Sequence, residues 1–255
     1  MSPLFPVALR FEAEKLRRSN VVKIATLLVV LFPSALAAGG VAALRVDLQG
    51  VFATKASLLV HGEGWEAYFG LCAQVVSVTM LLSAGFVCAW TFGREFSENT
   101  IVNLFGLPLS RRNLALAKFV TSIVWITVAS VLITLVALIV GLALGSMSGS
   151  PADAWLPFIV SMLSGFNAFP LAWVATLRRS YLPAIAVLLG LIAAVQLLTA
   201  IGIGSWFPWS VPGLLAGFSP ALRPTFVQCL LPLAVAAVSL WATLRAWSHL
   251  ELGRN

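Results

Sequence analysis

Charge is what this sequence has least of. Lys and Arg number 16 and Asp and Glu 9, together 10% of 255 residues, where soluble domains carry about 25%. So few charges cannot cover a water-soluble domain of this length, which leaves a bilayer as the natural solvent. Histidine is nearly absent. His61 and His249 lie far apart and on opposite expected sides of the membrane, which excludes a zinc site or catalytic triad built on them. Cys72, Cys88 and Cys229 all fall inside apolar runs, where a thiol behaves as a small hydrophobe, and no disulfide framework follows. A phosphate-cradling G-x-x-x-x-G-K-[ST] loop is missing, since none of Lys15, Lys23, Lys55 or Lys118 follows a glycine. The residues therefore offer no catalytic group, no bound cofactor and no metal site, and any nucleotide hydrolysis must belong to another chain.

What is present is hydrocarbon: 60% of the residues are hydrophobic and the mean hydropathy is +0.99. A helix needs about 20 apolar residues to cross a hydrocarbon core of about 30 Å. Six runs meet that length, at residues 21–44, 68–92, 119–145, 155–177, 181–203 and 225–247. Backbone polar groups in lipid must be satisfied within the segment, and the alternation of barrel strands is absent, so the runs are helices. The expected fold class is an all-α integral membrane protein with six transmembrane helices. Thirteen of the 16 basic residues fall on the side that holds both ends, against Arg45, Lys55 and Arg223 on the other. Because short loops rich in Lys and Arg stay inside, both termini are expected in the cytoplasm. The net charge of +7 is spread over these short clusters, with no basic stripe or base-stacking module, so nucleic acid is not the expected partner.

No run carries an ionisable residue near its middle, which argues against proton relays, ion coupling and intramembrane hydrolysis. The strongly polar side chains within runs are Gln74, Asn167 and Gln196, readable either as interhelical hydrogen bonds or as pathway contacts. Pro33, Pro157, Pro170, Pro183 and Pro232 interrupt the runs, and Ser164-Gly165-Phe166-Asn167 before Pro170 predicts a kink in the fourth. Gly141 and Gly145 form a GxxxG pair suited to close helix approach. The outer segment between the fifth and sixth runs, with Trp206, Trp209 and Gly213, is too apolar for a free loop. It reads either as an aromatic belt or as a shallow re-entrant hairpin.

Two cytoplasmic segments remain. In the leader, residues 1–20, Phe5, Leu9, Ala13 and Leu16 recur at helical spacing opposite Arg10, Glu14, Arg17 and Arg18, which predicts an interfacial amphipathic helix. Residues 93–118 join the second and third runs. Here a polar stretch, Arg94 to Thr100, precedes Ile101, Leu104, Phe105 and Pro108, and Ser110 is placed to cap a new helix. A short tail, residues 248–255, follows the last run.

The second segment resembles the ABC-2 family of transporter permeases at Glu98, Thr100, Leu107, Pro108, Leu109, Ser110, Arg111 and Lys118. Leu16-Arg17-Arg18-Ser19 and the six-helix plan extend the resemblance, and the subgroup it looks most like serves bacteriocin or lantibiotic immunity and bacitracin resistance. The resemblance implies a permease subunit of an exporter in the bacterial cytoplasmic membrane, paired with an identical or homologous permease chain. Separate cytoplasmic ATPase subunits, which bind ATP and Mg, would drive it by pushing on the leader and the 93–118 segment. That places ATPase docking on Arg94, Glu95, Glu98, Asn99 and Thr100, with support from Glu14, Arg17 and Arg18. Charge-free spans suit an amphipathic or hydrophobic cargo such as a peptide antibiotic, a drug or a lipid-like molecule. A membrane scaffold or assembly protein without transport activity is the alternative that the same composition accommodates.

Overall fold

The computed structural model describes residues 5–45, 60, 62–101, 110–145, 148–219 and 221–250. Leu107, Pro108 and Leu109 of the family motif, and Leu104 and Phe105 before them, lie outside the described residues, as do Lys55, His61 and Arg254. The described residues are mostly helical, with no strand among them. The leader forms α1 (Phe5–Arg18) and runs after a single residue into α2 (Asn20–Arg45). There follow α3 (Gly64–Ser97), α4 (Arg111–Ala143), α5 (Trp155–Phe166), α6 (Phe169–Leu177) and α7 (Leu182–Ala200). A short α8 (Val211–Leu215) and a single turn, α9 (Phe226–Cys229), precede α10 (Leu231–Ser248). Among the described residues six stretches are long and apolar enough to cross a membrane, and the protein is a multi-pass membrane protein.

The helices depart from the hydropathic runs where the backbone's own bonding outlasts the hydrocarbon. The second run, expected at 68–92, is helical from Gly64 to Ser97, and the third, expected at 119–145, begins at Arg111. Much of the 93–118 segment is therefore helix. The fourth run, expected at 155–177, is two helices because Asn167 and Ala168 interrupt it. Ala168 N–H bonds to the carbonyl of Gly165 in a tightened turn, and Pro170 starts α6. The sixth, expected at 225–247, breaks between Cys229 and Leu231, where Pro232 starts α10. Pro183 likewise stands in the first turn of α7, so these prolines open helices, where the missing donor costs nothing. Of the five, Pro33 alone lies deep within a helix.

α3 is the axis of the bundle. It packs against α2, α4, α5, α6, α7 and α8, and its buried face runs from Trp65 to Glu95. Near one end Trp65 stacks on Phe69 at 5.2 Å, with Tyr68 edge-on. At the other, Phe92, Phe119, Phe169 and Trp247 interlock at centroid separations of 4.7 to 6.3 Å. α7 is peripheral: only Ala184 and Leu188 are buried. The expected GxxxG pair divides between two tasks. Gly141 lets α4 close on α3, since a methyl group there would lie 2.3 Å from a ring carbon of Trp65. Gly145, with φ of +85°, is the left-handed residue that follows α4.

Gly141→Val should therefore cost about 1–3 kcal/mol through overpacking and lower the unfolding temperature of the detergent-purified protein. Gly190→Ala, whose added methyl group meets nothing within 4 Å, should not lower it.

Candidate functional site

At the leader side of the bundle, four ionisable side chains from three helices meet, Glu12, Glu95 and Lys118 buried and Lys15 half-buried at the rim. The apolar spacing that builds α1 also places Glu12 on its inner face. Phe5, Ala8, Glu12 and Leu16 are the buried residues, while Ala13 is exposed and Leu9 half-buried. The leader thus turns a face containing a carboxylate toward α4, and its outer face carries Val7 and Phe11.

Lys118, in the second turn of α4 and 1% exposed, receives that carboxylate. Its ammonium donates to Glu12 Oε2 at 3.0 Å, to Glu95 Oε1 at 2.8 Å and to the carbonyl of Thr91 at 3.2 Å, which engages its three protons. Lys15 donates to the same Glu95 oxygen at 2.6 Å and to Glu12 Oε1 at 3.4 Å. Two carboxylates and two ammonium groups make the cluster formally neutral, the condition under which buried charges are tolerated. Glu95 Oε2 is the buried oxygen of the four without a hydrogen-bond partner, and Glu95 lines a crevice of about 20 Å³.

Sequence reasoning groups Glu95 with a surface that greets a soluble partner, and the structure corrects this: Glu95 is 4% exposed. The helix persists one turn past the apolar run, and that extra turn faces inward. Glu12, Lys15 and Lys118 are the members of the cluster that sequence reasoning overlooked as site residues. The signal was the register of Glu12 with Phe5, Ala8 and Leu16, which places an acid on the buried stripe.

The remaining candidates stand at the surface. Arg94 lies over the ring of Trp90 at 4.8 Å and donates to both oxygens of Glu98 at 2.9 Å, one turn further on. α3 then ends in a Schellman turn: Asn99, with φ of +55°, takes the left-handed position, and Thr100 N–H reaches back to the carbonyl of Glu95. Glu98, Asn99 and Thr100 are exposed. On the leader, Arg17 and Arg18 both bond to Glu14. Those hydrogen bonds, Arg17's first, hold the Glu14 carboxyl down to about 2, so it stays ionised at physiological pH. Ser110 caps α4 by accepting from Asn113 N–H at 3.2 Å, as its position in the segment predicts.

Near the middle of the fourth span, two other candidates meet. Asn167, in the break of the fourth span, donates from Nδ2 to the carbonyl of Pro208 at 2.9 Å, and Trp209 Nε1 donates to the Asn167 carbonyl at 2.9 Å. Asn167 is 12 residues past Trp155, about 18 Å of helix, so this clasp draws the segment after α7 into the interior. α8 is buried from Val211 to Leu214, and Gly213 packs under Phe218 and beside Ser77. Trp206 points outward, 67% exposed, as a belt residue would. Gln196 is exposed on α7 and lines a crevice of about 120 Å³ with Ser77 and Trp209, while Gln74 is buried beside a separate outer cavity.

Replacing Lys118 by Met should destabilise the protein by about 3–5 kcal/mol, because it strands Glu12 and Glu95. Adding Glu12→Gln and Glu95→Gln to that variant should recover most of the loss, read as the unfolding temperature in detergent.

Comparison with known proteins places this arrangement. Over 149 residues the chain is 26% identical to the bacitracin transport permease protein BCRB of Bacillus licheniformis, a match covering 56% of this chain and 71% of that protein. Residues 8–197, which include the leader cluster, the base of α4 and the break at Asn167, match the family described as ABC-2 family transporter protein. The chain is a member of the ABC-2 family, a membrane subunit of an ABC transporter.

Proposed function

We propose that this chain is the permease subunit of an exporter that works as a pair of permease chains driven by separate ATP-hydrolysing subunits on the leader side. The supporting observation is the buried ion cluster. It ties the leader to the end of α3 and the start of α4, so a push on the leader or on the Arg94–Thr100 turn reaches both membrane helices together. In this reading Arg94, Glu98, Asn99, Thr100, Glu14, Arg17 and Arg18 form the docking surface, and Glu95 transmits load behind it. ATP and Mg belong to the docked subunit. The bare face of α7 is the one offered to the second permease chain, with Gln196 beside the path.

The cargo is an amphipathic or hydrophobic compound, and a peptide antibiotic is the favoured class. Every ionisable side chain within the described spans stands near an end, and the bacitracin permease named above supplies the chemical class by likeness. Export is the favoured direction, with both termini in the cytoplasm of a bacterial cell. The hairpin held by Asn167 and Trp209 would close the outer exit.

Glu98→Lys combined with Asn99→Gly tests docking without disturbing the cluster, because glycine keeps the left-handed turn that Asn99 adopts. Insertion and unfolding temperature should stay within error, while copurification of the ATPase subunit and cargo resistance in cells should fall at least tenfold. Unchanged transport would remove the docking assignment. Purification without any ATPase partner would favour a scaffold instead.

A further inference from the structure

Beside the leader, α1, α2 and α4 border an open groove of about 920 Å³, a volume within the range of ligand sites. Its walls are hydrocarbon: Leu9 and Leu16 of the leader, Val22 and Leu27 of α2, and Val124 and Val128 of α4. Three of these, Leu27, Val124 and Val128, are more than half exposed. Polar groups in the groove are already satisfied by the protein. Trp125 Nε1 donates to Thr26 Oγ1 at 2.9 Å, and Thr26 Oγ1 donates to the carbonyl of Val22 at 2.7 Å. Thr121 turns its hydroxyl to the backbone of its own helix.

Charge enters the groove at one end and with one sign. Arg17 and Lys23 are its charged lining residues, and no carboxylate lines it. Lys23 is exposed in the first turn of α2. Glu12 and Lys15 are spent in the buried cluster, which leaves Arg10, Arg17 and Arg18 against Glu14 on the open faces of the leader. A cationic mouth above a hydrocarbon trough has the complementary shape and charge of a single anionic amphiphile.

We propose that this groove is a binding site for one anionic phospholipid of the leader-side leaflet, its acyl chain along Leu16, Leu27, Val124 and Val128 and its phosphate between Arg17 and Lys23. A zwitterionic lipid would use the trough but gain little from the cation pair. A second copy of the chain docked across the groove by two-fold symmetry would bring the same cationic mouth, with no carboxylate in its lining, into the interface twice. Lipid in this site packs the leader against α2 and α4 from the side adjoining the ion cluster, with Leu16 bordering both, and this holds whatever the chain transports.

The test reconstitutes the full chain with brominated phosphatidylglycerol or brominated phosphatidylcholine and isolates Trp125 as the difference in fluorescence quenching between wild type and Trp125→Phe. Quenching of Trp125 should be severalfold more effective with the anionic lipid. Lys23→Gln and Arg17→Gln together should remove that preference, each charge contributing about a fivefold change. Equal quenching by both lipids, or a preference that survives the double variant, would overturn the site. Absence of Trp125 quenching by either lipid would overturn it in favour of a protein surface covering the groove. If Trp125→Phe does not fold, native mass spectrometry from mixed-lipid nanodiscs gives a second readout. Wild type should retain phosphatidylglycerol selectively and Lys23→Gln/Arg17→Gln should not, and equal retention would reject the proposal.

Discussion

The bonds of the Lys118 ammonium are the constraint on which the leader side of this protein depends. A buried ammonium is tolerated only where opposite charge and acceptors surround it. Here the carboxylates come from the leader and from the last turn of α3, with a carbonyl from the same helix. Three helices are thereby fixed to one point. The leader cannot lift without exposing or stranding Lys118, and α3 cannot unwind its final turn without withdrawing Glu95. An amphipathic helix that the sequence would allow to float at the headgroups becomes a part of the bundle, packed on α4.

The middle of the bundle is held by neutral bonds. Asn167 stands where the fourth span gives up its helical ladder, and the break frees its backbone carbonyl to accept from Trp209 while its amide donates to Pro208. Such exchanges between a broken helix and a buried loop satisfy polar groups that lipid cannot. The two junctions therefore differ in kind. One is a charged junction that resists separation, and the other is a hydrogen-bonded clasp whose pieces are a loop and a helix break. In a transporter the first suits the receipt of force and the second suits opening.

Much of this was legible in the sequence because bilayer thickness and backbone satisfaction leave few choices. The six spans, the kink before Pro170, the cap at Ser110 and the membership in the ABC-2 family all follow from patterns of a few residues. Boundaries were less legible. Hydropathy stops at Phe92 while the helix continues to Ser97, since charged residues bonding along their own helix, as Arg94 does to Glu98, extend it beyond the apolar run. Glu95 was misread because a charge in a stretch that also holds Arg94, Ser97 and Glu98 looks solvated. Its burial depends on Glu12, Lys15 and Lys118, which come from distant positions, and no local pattern announces that meeting. The partnership of Asn167 with Trp209 was equally hidden, although each residue stood out by itself.

In the proposed mechanism the leader, the end of α3 and the start of α4 move as one block when an ATPase subunit acts on them. Pulsed electron–electron distances measure this directly, with spin labels at Arg10→Cys and Arg112→Cys, and a second pair at Arg10→Cys and Trp206→Cys, in a Cys229→Ala background. All three labelled positions are exposed, and the remaining cysteines, Cys72 and Cys88, are buried. Between the nucleotide-free and nucleotide-trapped complexes, the Arg10–Arg112 distance should stay constant while the Arg10–Trp206 distance changes. A shift in the first distance would contradict the account, because it would show the leader moving independently of α4.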